Sequence, residues 1–243
     1  MKRMITGVSL VAAMLLIASS AMATGLNLAW NACITDGGAN NKTSACTSNL
    51  GNAGTMIGTF NVASDVNGAT GIELIVDFIS IDVALPAWWS ASCRTPFTMN
   101  ATIAASAVNC FDWSSGTALG GIGAVVPDYA YGPNTARIIA GFAVPPAGVN
   151  VVAIPPGGGE YFAFNIVLSN TKTAGVGNCA GCNLAHCIVF NNLKMVVGTA
   201  DGAILGTPEA PGSNVITWQG AGANCAAVPT KNTTWTQVKA LYR

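Results

Sequence analysis

The protein has 243 residues, of which 51% are hydrophobic and only 8% charged, with ten basic and ten acidic side chains. Ordinary globular domains carry about 25% charged residues. The zero net charge argues against a nucleic-acid-binding or polybasic membrane-surface protein, because both need a concentrated positive field. The high hydrophobic content argues against charge-driven disorder. With one histidine in the chain, most histidine-based catalysis and metal binding is excluded.

The N-terminus has the pattern of a secretory signal peptide. Two basic residues precede an apolar run over residues 5–17, and a small-x-small cleavage motif ends at Ala23. The run is too short to span a bilayer of about 30 Å, although a transmembrane anchor is the alternative. We expect residues 1–23 to be removed and residues 24–243 to be secreted, to the periplasm, the cell surface or the medium, without a membrane span.

Period-two alternation of apolar residues, bounded by Gly, Pro, Asn and Ser, recurs along the rest of the chain and indicates β-strands. The expected strands cover residues 26–31, 55–62, 71–85, 99–105, 138–144, 149–154, 161–168, 186–190, 193–197 and 214–218. They predict an all-β fold, a single β-sandwich of the immunoglobulin-like or jelly-roll type. A split into two domains near residue 125 is the alternative.

Three local features add to this outline. The apolar positions of 71–85 change from even to odd, which predicts a bulge or bend near residues 78–80, of the kind that lets a strand pass from one sheet to the other. The glycine-rich stretch 115–135 and the segment 145–159 are expected to be crossover loops. Thr234 and Gln237 form a capping-box pattern that predicts a short C-terminal helix, docked by Trp235.

The eight cysteines all follow the expected signal peptide. An even number in an oxidising compartment predicts four disulfides. Local pairing, Cys33 with Cys46 and Cys93 with Cys110, would close loops of roughly 14 and 18 residues and stabilise by about 3 kcal/mol each. Sequence leaves the pairing of the other four open. They are Cys179, Cys182, Cys187 and Cys225.

The cysteine cluster that includes Cys179, Cys182 and Cys187 also contains His186, so it has the ligand types of a zinc site. It lacks a second ligand pair at normal spacing, and a redox CxxC would need a thioredoxin-like βαβ context. Structural disulfides are therefore the favoured interpretation, over a metal or redox site. We expect no metal and no cofactor.

The acidic residues offer no clear catalytic pair. Glu73 and Asp77 share a strand face, but four residues span roughly 13 Å, and a glycosidase needs its carboxylates about 5–9.5 Å apart. A Ser-His-Asp triad would have to use His186, and no GxSxG motif accompanies it. We expect a protein that is not an enzyme, with a hydrolase as the remaining alternative.

Aromatic residues in turns suggest a ligand site. Trp88 and Trp89 follow a strand directly, and Trp113, Tyr129 and Tyr131 lie in loops rich in Gly, Ser and Pro. Adjacent strand residues point to opposite sides, so one of the two neighbouring tryptophans would face solvent if the strand continued through them. Exposed rings of this kind bind sugars by stacking. The favoured interpretation, however, is that the turn places both rings against the core or the disulfide of Cys93.

Composition indicates a second role. Residues 24–243 contain 21 Asn but only five Lys, with a net charge of −2. A surface of low charge removes the repulsion that keeps exported proteins apart, which suits self-association. We therefore expect an extracellular or cell-surface structural or interaction protein, whose partners are itself, other surface proteins or polysaccharide. A carbohydrate-binding module is the alternative.

Four short motifs carry a resemblance. They are Leu85-Pro-Ala-Trp-Trp89 with Cys93, Cys179-Ala-Gly-Cys182 with Cys187, Thr217-Trp218-Gln219, and the final Trp235-Thr-Gln-Val-Lys-Ala-Leu-Tyr-Arg243. In these the chain resembles uncharacterised secreted β-rich proteins of environmental bacteria. The motifs cover a small part of the chain. The resemblance implies a secreted, disulfide-bonded single domain and no particular activity.

Overall fold

The computed structural model describes residues 24–101, 108–127, 132–145, 152–157, 159–198, 200–220 and 225. Within these residues the fold is all-β: two packed sheets form a sandwich, as the alternating pattern predicts. Short 3-10 turns cover Ile34–Asp36 and Ala87–Trp89. The expected signal peptide and C-terminal helix lie outside the described residues.

The smaller sheet has five strands. Its central order is β1 (Gly25–Trp30), β3 (Asn52–Asn61), β10 (Tyr161–Ser169) and β5 (Phe97–Asn100), all antiparallel neighbours. The two-residue strand β6 (Phe111–Asp112) pairs in parallel with β10.

The larger sheet has eight strands. Its main order is β2 (Asn41–Lys42), β13 (Val215–Trp218), β11 (His186–Val197), β4 (Val66–Ser80), β8 (Thr135–Ala143) and β7 (Leu119–Pro127). In addition, β12 (Ala200–Leu205) pairs with β11, and β9 (Val152–Ile154) pairs with β4. Residue 125, the alternative domain boundary, lies inside β7.

The core lies between the two sheets and follows the alternation of the strands. In β4 the side chains of Leu74, Val76 and Phe78 are buried in it. They meet side chains of the smaller sheet such as Phe164 and Ile166, which are also fully buried. Side chains at the odd positions of β4 lie on the other face of the larger sheet, which we call the outer face.

The expected passage of this strand from one sheet to the other near residues 78–80 is wrong. The strand β4 stays in one sheet and ends at Ser80, where the hydroxyl accepts a hydrogen bond from the Asp82 amide and the chain turns. The next two apolar side chains are open to solvent, since Ile81 is 57% exposed and Val83 85% exposed. The register shift occurs instead in the partner strand, between Phe190 and Asn192, so that 186–197 is one irregular strand rather than two.

The glycine-rich stretch expected to be a crossover contains the nine-residue strand β7. Its glycines hide the strand pattern, and one of them, Gly120, allows the close approach of β8. Gly120 has φ +150°, and a Cβ atom there would lie 2.1 Å from the carbonyl oxygen of Gly141. The other expected crossover, 145–159, contains the short strand β9.

All eight cysteines form disulfides, but the local pairing predicted from spacing is wrong. The bonds join Cys33 to Cys110, Cys46 to Cys182, Cys93 to Cys179, and Cys187 to Cys225. Three of them span 77 or more residues. Sheet topology, rather than nearness in sequence, brings the partners together, with Cα atoms 5.6–6.0 Å apart.

Candidate functional site

Trp88 and Trp89 both belong to the core. They lie in the 3-10 turn Ala87–Trp89, whose tight backbone points both rings inward, and they are 0% and 1% exposed. Trp88 stacks on Trp218 with ring centroids 5.4 Å apart, and its ring nitrogen donates a 2.8 Å hydrogen bond to the Thr173 hydroxyl. The structure therefore agrees with the favoured interpretation, in which the turn places both rings in the core, and neither ring faces solvent.

Arg94 holds the Trp88 side of this cluster in place. Its guanidinium carbon lies 3.7 Å from the centroid of the Trp88 ring, close enough for a cation–π interaction. Its Nε donates to the Trp88 carbonyl at 2.6 Å, and Nη1 donates to the carbonyls of Ser169 and Thr171. Burial lowers the pKa of Arg94 to about 10, so the side chain stays charged at neutral pH.

Trp113 is also buried, with 1% of its surface exposed. It lies in a turn organised by Asp112, whose carboxylate accepts hydrogen bonds from the amides of Ser114 and Gly116, each at 2.8 Å. This turn directs the ring into the core, so the third tryptophan offers no surface for stacking a sugar. Tyr129 and Tyr131 lie outside the described residues.

Cys179 and Cys182 of the cysteine cluster belong to the same buried core as the tryptophans. Cys179 bonds Cys93, and Cys182 bonds Cys46, so their sulfurs are not available as thiolate ligands. The carbonyl of Cys182 accepts a 2.6 Å hydrogen bond from the ring nitrogen of Trp218. Among the described residues, no three His, Cys, Asp or Glu side chains cluster in a way that could hold a metal ion.

His186 begins β11 and is completely buried. Its ring stacks on Trp89, with centroids 4.4 Å apart, and Nδ1 lies 2.9 Å from the Leu184 carbonyl oxygen. Burial lowers the pKa of His186 to about 4, although the Leu184 contact and the charge of Asp82 both raise it. The imidazole is therefore neutral at physiological pH, in a position that solvent does not reach.

This burial makes folding sensitive to acid. Because the unfolded chain binds a proton at His186 near pH 6.5 and the folded chain only near pH 4, stability falls as pH drops through that window. We expect a loss of about 3 kcal/mol in unfolding free energy between pH 7 and pH 4 from this residue. Urea unfolding gives the unfolding free energy of the wild type and of His186→Phe at each pH in that range. The contribution of His186 is the difference between the two curves. Parallel profiles would contradict the assignment.

The outer face of the larger sheet carries an ion pair. Asp77 on β4 lies opposite Arg137 on β8, and both are nearly fully buried. Each carboxylate oxygen accepts a 2.6 Å hydrogen bond from the guanidinium, one from Nε and one from Nη2. Asn191 of β11 donates a third bond, also 2.6 Å, to Oδ2. The bidentate contact joins β4 to β8, and the bond from Asn191 joins β11 to β4, so these bonds link three neighbouring strands.

A shallow groove of about 460 Å³ lies at one end of the same sheet. Backbone of Gly71 and Gly141 contributes to its lining, and Glu73 and the exposed side chain of Leu119 line it as well. Oε2 of Glu73 lies 3.6 Å from Nζ of Lys194. Both carboxylates that share this strand face, Glu73 and Asp77, therefore lie beside a cation.

The edge strand β7 is the surface feature most relevant to binding of another protein chain. Within the described part of the chain it pairs on one side only, with β8, and so ends the larger sheet. Its nine residues, 119–127, carry no charge, and most are exposed or half-buried. Natural edge strands usually avoid pairing by means of charged side chains, prolines, β-bulges or short length. This strand, the β7 edge, is long and uncharged; its register shift lies between Ile122 and Ala124, and its proline, Pro127, is the last residue.

No known protein family matches the chain, and no curated protein or solved structure is significantly similar to it. The described residues include no helix that is long and apolar enough to cross a membrane. Four disulfides are typical of proteins that fold in an oxidising compartment outside the cytoplasm. The four disulfides thus fit a secreted or extracellular protein.

Proposed function

We propose that the protein is a non-enzymatic structural or interaction protein of the cell surface or extracellular space, and that it assembles with a second copy of itself. The observation that carries this proposal is the uncharged β7 edge. Among the described residues, one edge of this nine-residue strand has no partner strand, so it offers backbone donors and acceptors to another strand. The low net charge of the exported chain leaves little repulsion between copies.

Antiparallel pairing of two β7 edges is the simplest geometry. Such a contact is two-fold symmetric, so one surface serves both copies and the assembly closes as a dimer. The larger sheets of the two copies then become one continuous sheet. The exposed side chain of Leu119 lies at the end of the strand, where it adds apolar contact.

We do not propose carbohydrate binding through the three candidate tryptophans. It depended on exposed rings, and Trp88, Trp89 and Trp113 are buried. Stacking of a sugar requires a ring face open to solvent, which none of the three offers.

Charge on the β7 edge tests the proposal. A Cβ atom at Gly121 meets nothing within 4 Å, and one at Gly123 meets only an ordinary contact at 3.5 Å, so lysines fit at both positions. We expect Gly121→Lys/Gly123→Lys to weaken dimerisation at least tenfold, because four like charges would meet at the interface. Sedimentation equilibrium of the oxidised protein measures the dissociation constant.

The matched control adds the same two charges elsewhere. Leu50 and Val176 are exposed loop residues, so Leu50→Lys/Val176→Lys should leave the dissociation constant unchanged. A wild-type protein that stays monomeric at high concentration would refute the proposal. Equal weakening in both variants would show that the effect is one of net charge and not of the β7 edge.

A further inference from the structure

The shallow groove beside Glu73 has the size of a small-molecule site. Its volume of about 460 Å³ lies within the range of roughly 300–1,000 Å³ that such sites occupy. All eleven residues that line it are described, and they come from strands β4, β7, β8 and β11 or directly follow one of these strands. The groove is therefore built on one sheet, whose ladder holds its lining residues in place.

The floor of the groove is open because two glycines lie side by side. Glu73 of β4 pairs with Gly141 of β8, which in turn pairs with Gly121 of β7. A Cβ atom at Gly141 would meet only the carbonyl oxygen of Ile72, at 3.9 Å, and one at Gly121 would meet nothing within 4 Å. A trough thus extends from Glu73 to the β7 edge, over two strand spacings or about 10 Å.

Glu73 is the one charged residue among the eleven that line the groove. Its side chain is 33% exposed, whereas that of Lys194, which lies beside it, is only 4% exposed. The Nζ atom of Lys194 is 3.6 Å from Oε2 of the carboxylate. A carboxylate has about four acceptor positions on its two oxygens, so Glu73 can accept further hydrogen bonds from a group in the groove.

The other side chains of the groove offer little hydrogen bonding. Leu119 is 68% exposed, and Val144 and Val196 are half-buried. The Thr70 hydroxyl lies 3.2 Å from the carbonyl oxygens of both Val196 and Gly198, so its proton is already engaged. The groove therefore combines apolar walls with one accessible anionic group.

This lining fits a cation carried on an unbranched aliphatic stem. We propose that the groove binds an alkylammonium or alkylguanidinium group, with the stem over Gly141 and the cation beside Glu73. Lysine and arginine side chains have this construction, an apolar stem that ends in a charged head. The net charge of −2 on residues 24–243 also favours a cation.

Other ligand classes fit the groove less well. A sugar ring carries several hydroxyl groups, and the groove offers them one carboxylate, so most would lose their hydrogen bonds to water without replacement. An anionic ligand would be repelled by Glu73. Lys194 limits the affinity for a cation, because it already neutralises part of the carboxylate charge. We therefore expect weak binding, in the millimolar range.

An NMR titration of the oxidised, ¹⁵N-labelled protein with n-hexylammonium chloride tests the proposal. We expect saturable shifts of the backbone amide signals of Leu119 and Gly141. The neutral analogue n-hexanol has the same stem and no charge. It should bind about fivefold more weakly, which is the contribution of about 1 kcal/mol expected for a solvent-exposed ion pair.

Two variants assign the binding to this groove. Glu73→Gln should weaken hexylammonium binding about fivefold, whereas Asp36→Asn, which removes an exposed carboxylate elsewhere, should not. Gly141→Val should abolish binding because its side chain fills the floor. Gly123→Val is its control, since Gly123 does not line the groove and a Cβ atom there makes only an ordinary 3.5 Å contact. The amide spectrum shows whether each variant is folded.

Three results would overturn the proposal: no saturable shift with hexylammonium, equal affinity for hexanol, or unchanged affinity in folded Glu73→Gln or Gly141→Val. A further titration with Nα-acetyl-lysine methylamide distinguishes two sources of the cation. Tighter binding than that of hexylammonium would identify a protein side chain as the source. Weaker binding would identify a free amine, and either result upholds the proposed chemistry.

Discussion

Replacing Arg137 with methionine is expected to lower the free energy of unfolding by about 3–5 kcal/mol, because it leaves the Asp77 carboxylate buried without its cation. Both partners are nearly inaccessible to solvent and are joined by two 2.6 Å contacts. Removal of one charge therefore costs far more than the pair itself contributes. Urea unfolding at neutral pH measures the change.

The double variant Arg137→Met/Asp77→Leu is the control. It removes both charges and fills similar volume with apolar groups, and such replacements of a buried pair are often neutral or stabilising. The double variant also removes the acceptor for Asn191, which offsets part of this gain. We therefore expect its unfolding free energy to lie between that of the single variant and that of the wild type. A single variant within about 1 kcal/mol of the wild type would contradict the assigned burial.

Removal of the Cys46–Cys182 disulfide is expected to lower the unfolding free energy by about 5 kcal/mol in the chain-entropy description. The two cysteines are 136 residues apart, so the bond removes a large amount of freedom from the unfolded chain. The test is urea unfolding of Cys46→Ser/Cys182→Ser under oxidising conditions, with the near-ultraviolet spectrum as evidence that the tryptophan cluster still forms.

The Cys187→Ser/Cys225→Ser variant provides the comparison, since that bond joins residues only 38 apart. Its expected loss is about 4 kcal/mol. If neither variant lost unfolding free energy relative to the wild type, the unfolded chain would already be compact without these bonds. Peptide mapping of the wild type checks the pairing itself.

The sandwich was predictable because burial on one face leaves a period of two in the sequence. Residues 71–80 and 161–168 show it plainly, and both are strands. The strand β7 was missed because three of its first five residues are glycines, which carry no side chain to alternate. The end of this strand at Ser80 was missed because Ile81 and Val83 continue the apolar alternation although they are exposed, and periodicity cannot detect exposure.

The candidate sites were less predictable because they depend on contacts between distant residues. Asp77 meets Arg137 sixty residues away, and only the pairing of β4 with β8 brings them together. Trp88 and Trp89 would diverge if the strand continued, but a 3-10 turn places both inside. The sequence favoured that outcome because the two residues follow a proline in a turn, but it could not show which other rings they would contact.

The order of the disulfides has a consequence for how the protein is made. During export the cysteines emerge in the order in which they occur, and Cys46 follows Cys33 long before Cys110 is available. An oxidant that joins neighbours as they emerge would produce the wrong bonds. Such bonds are corrected only by attack of another thiolate through a mixed disulfide. The protein should therefore reach its native state slowly in the presence of an oxidase alone, and much faster when a disulfide isomerase is present.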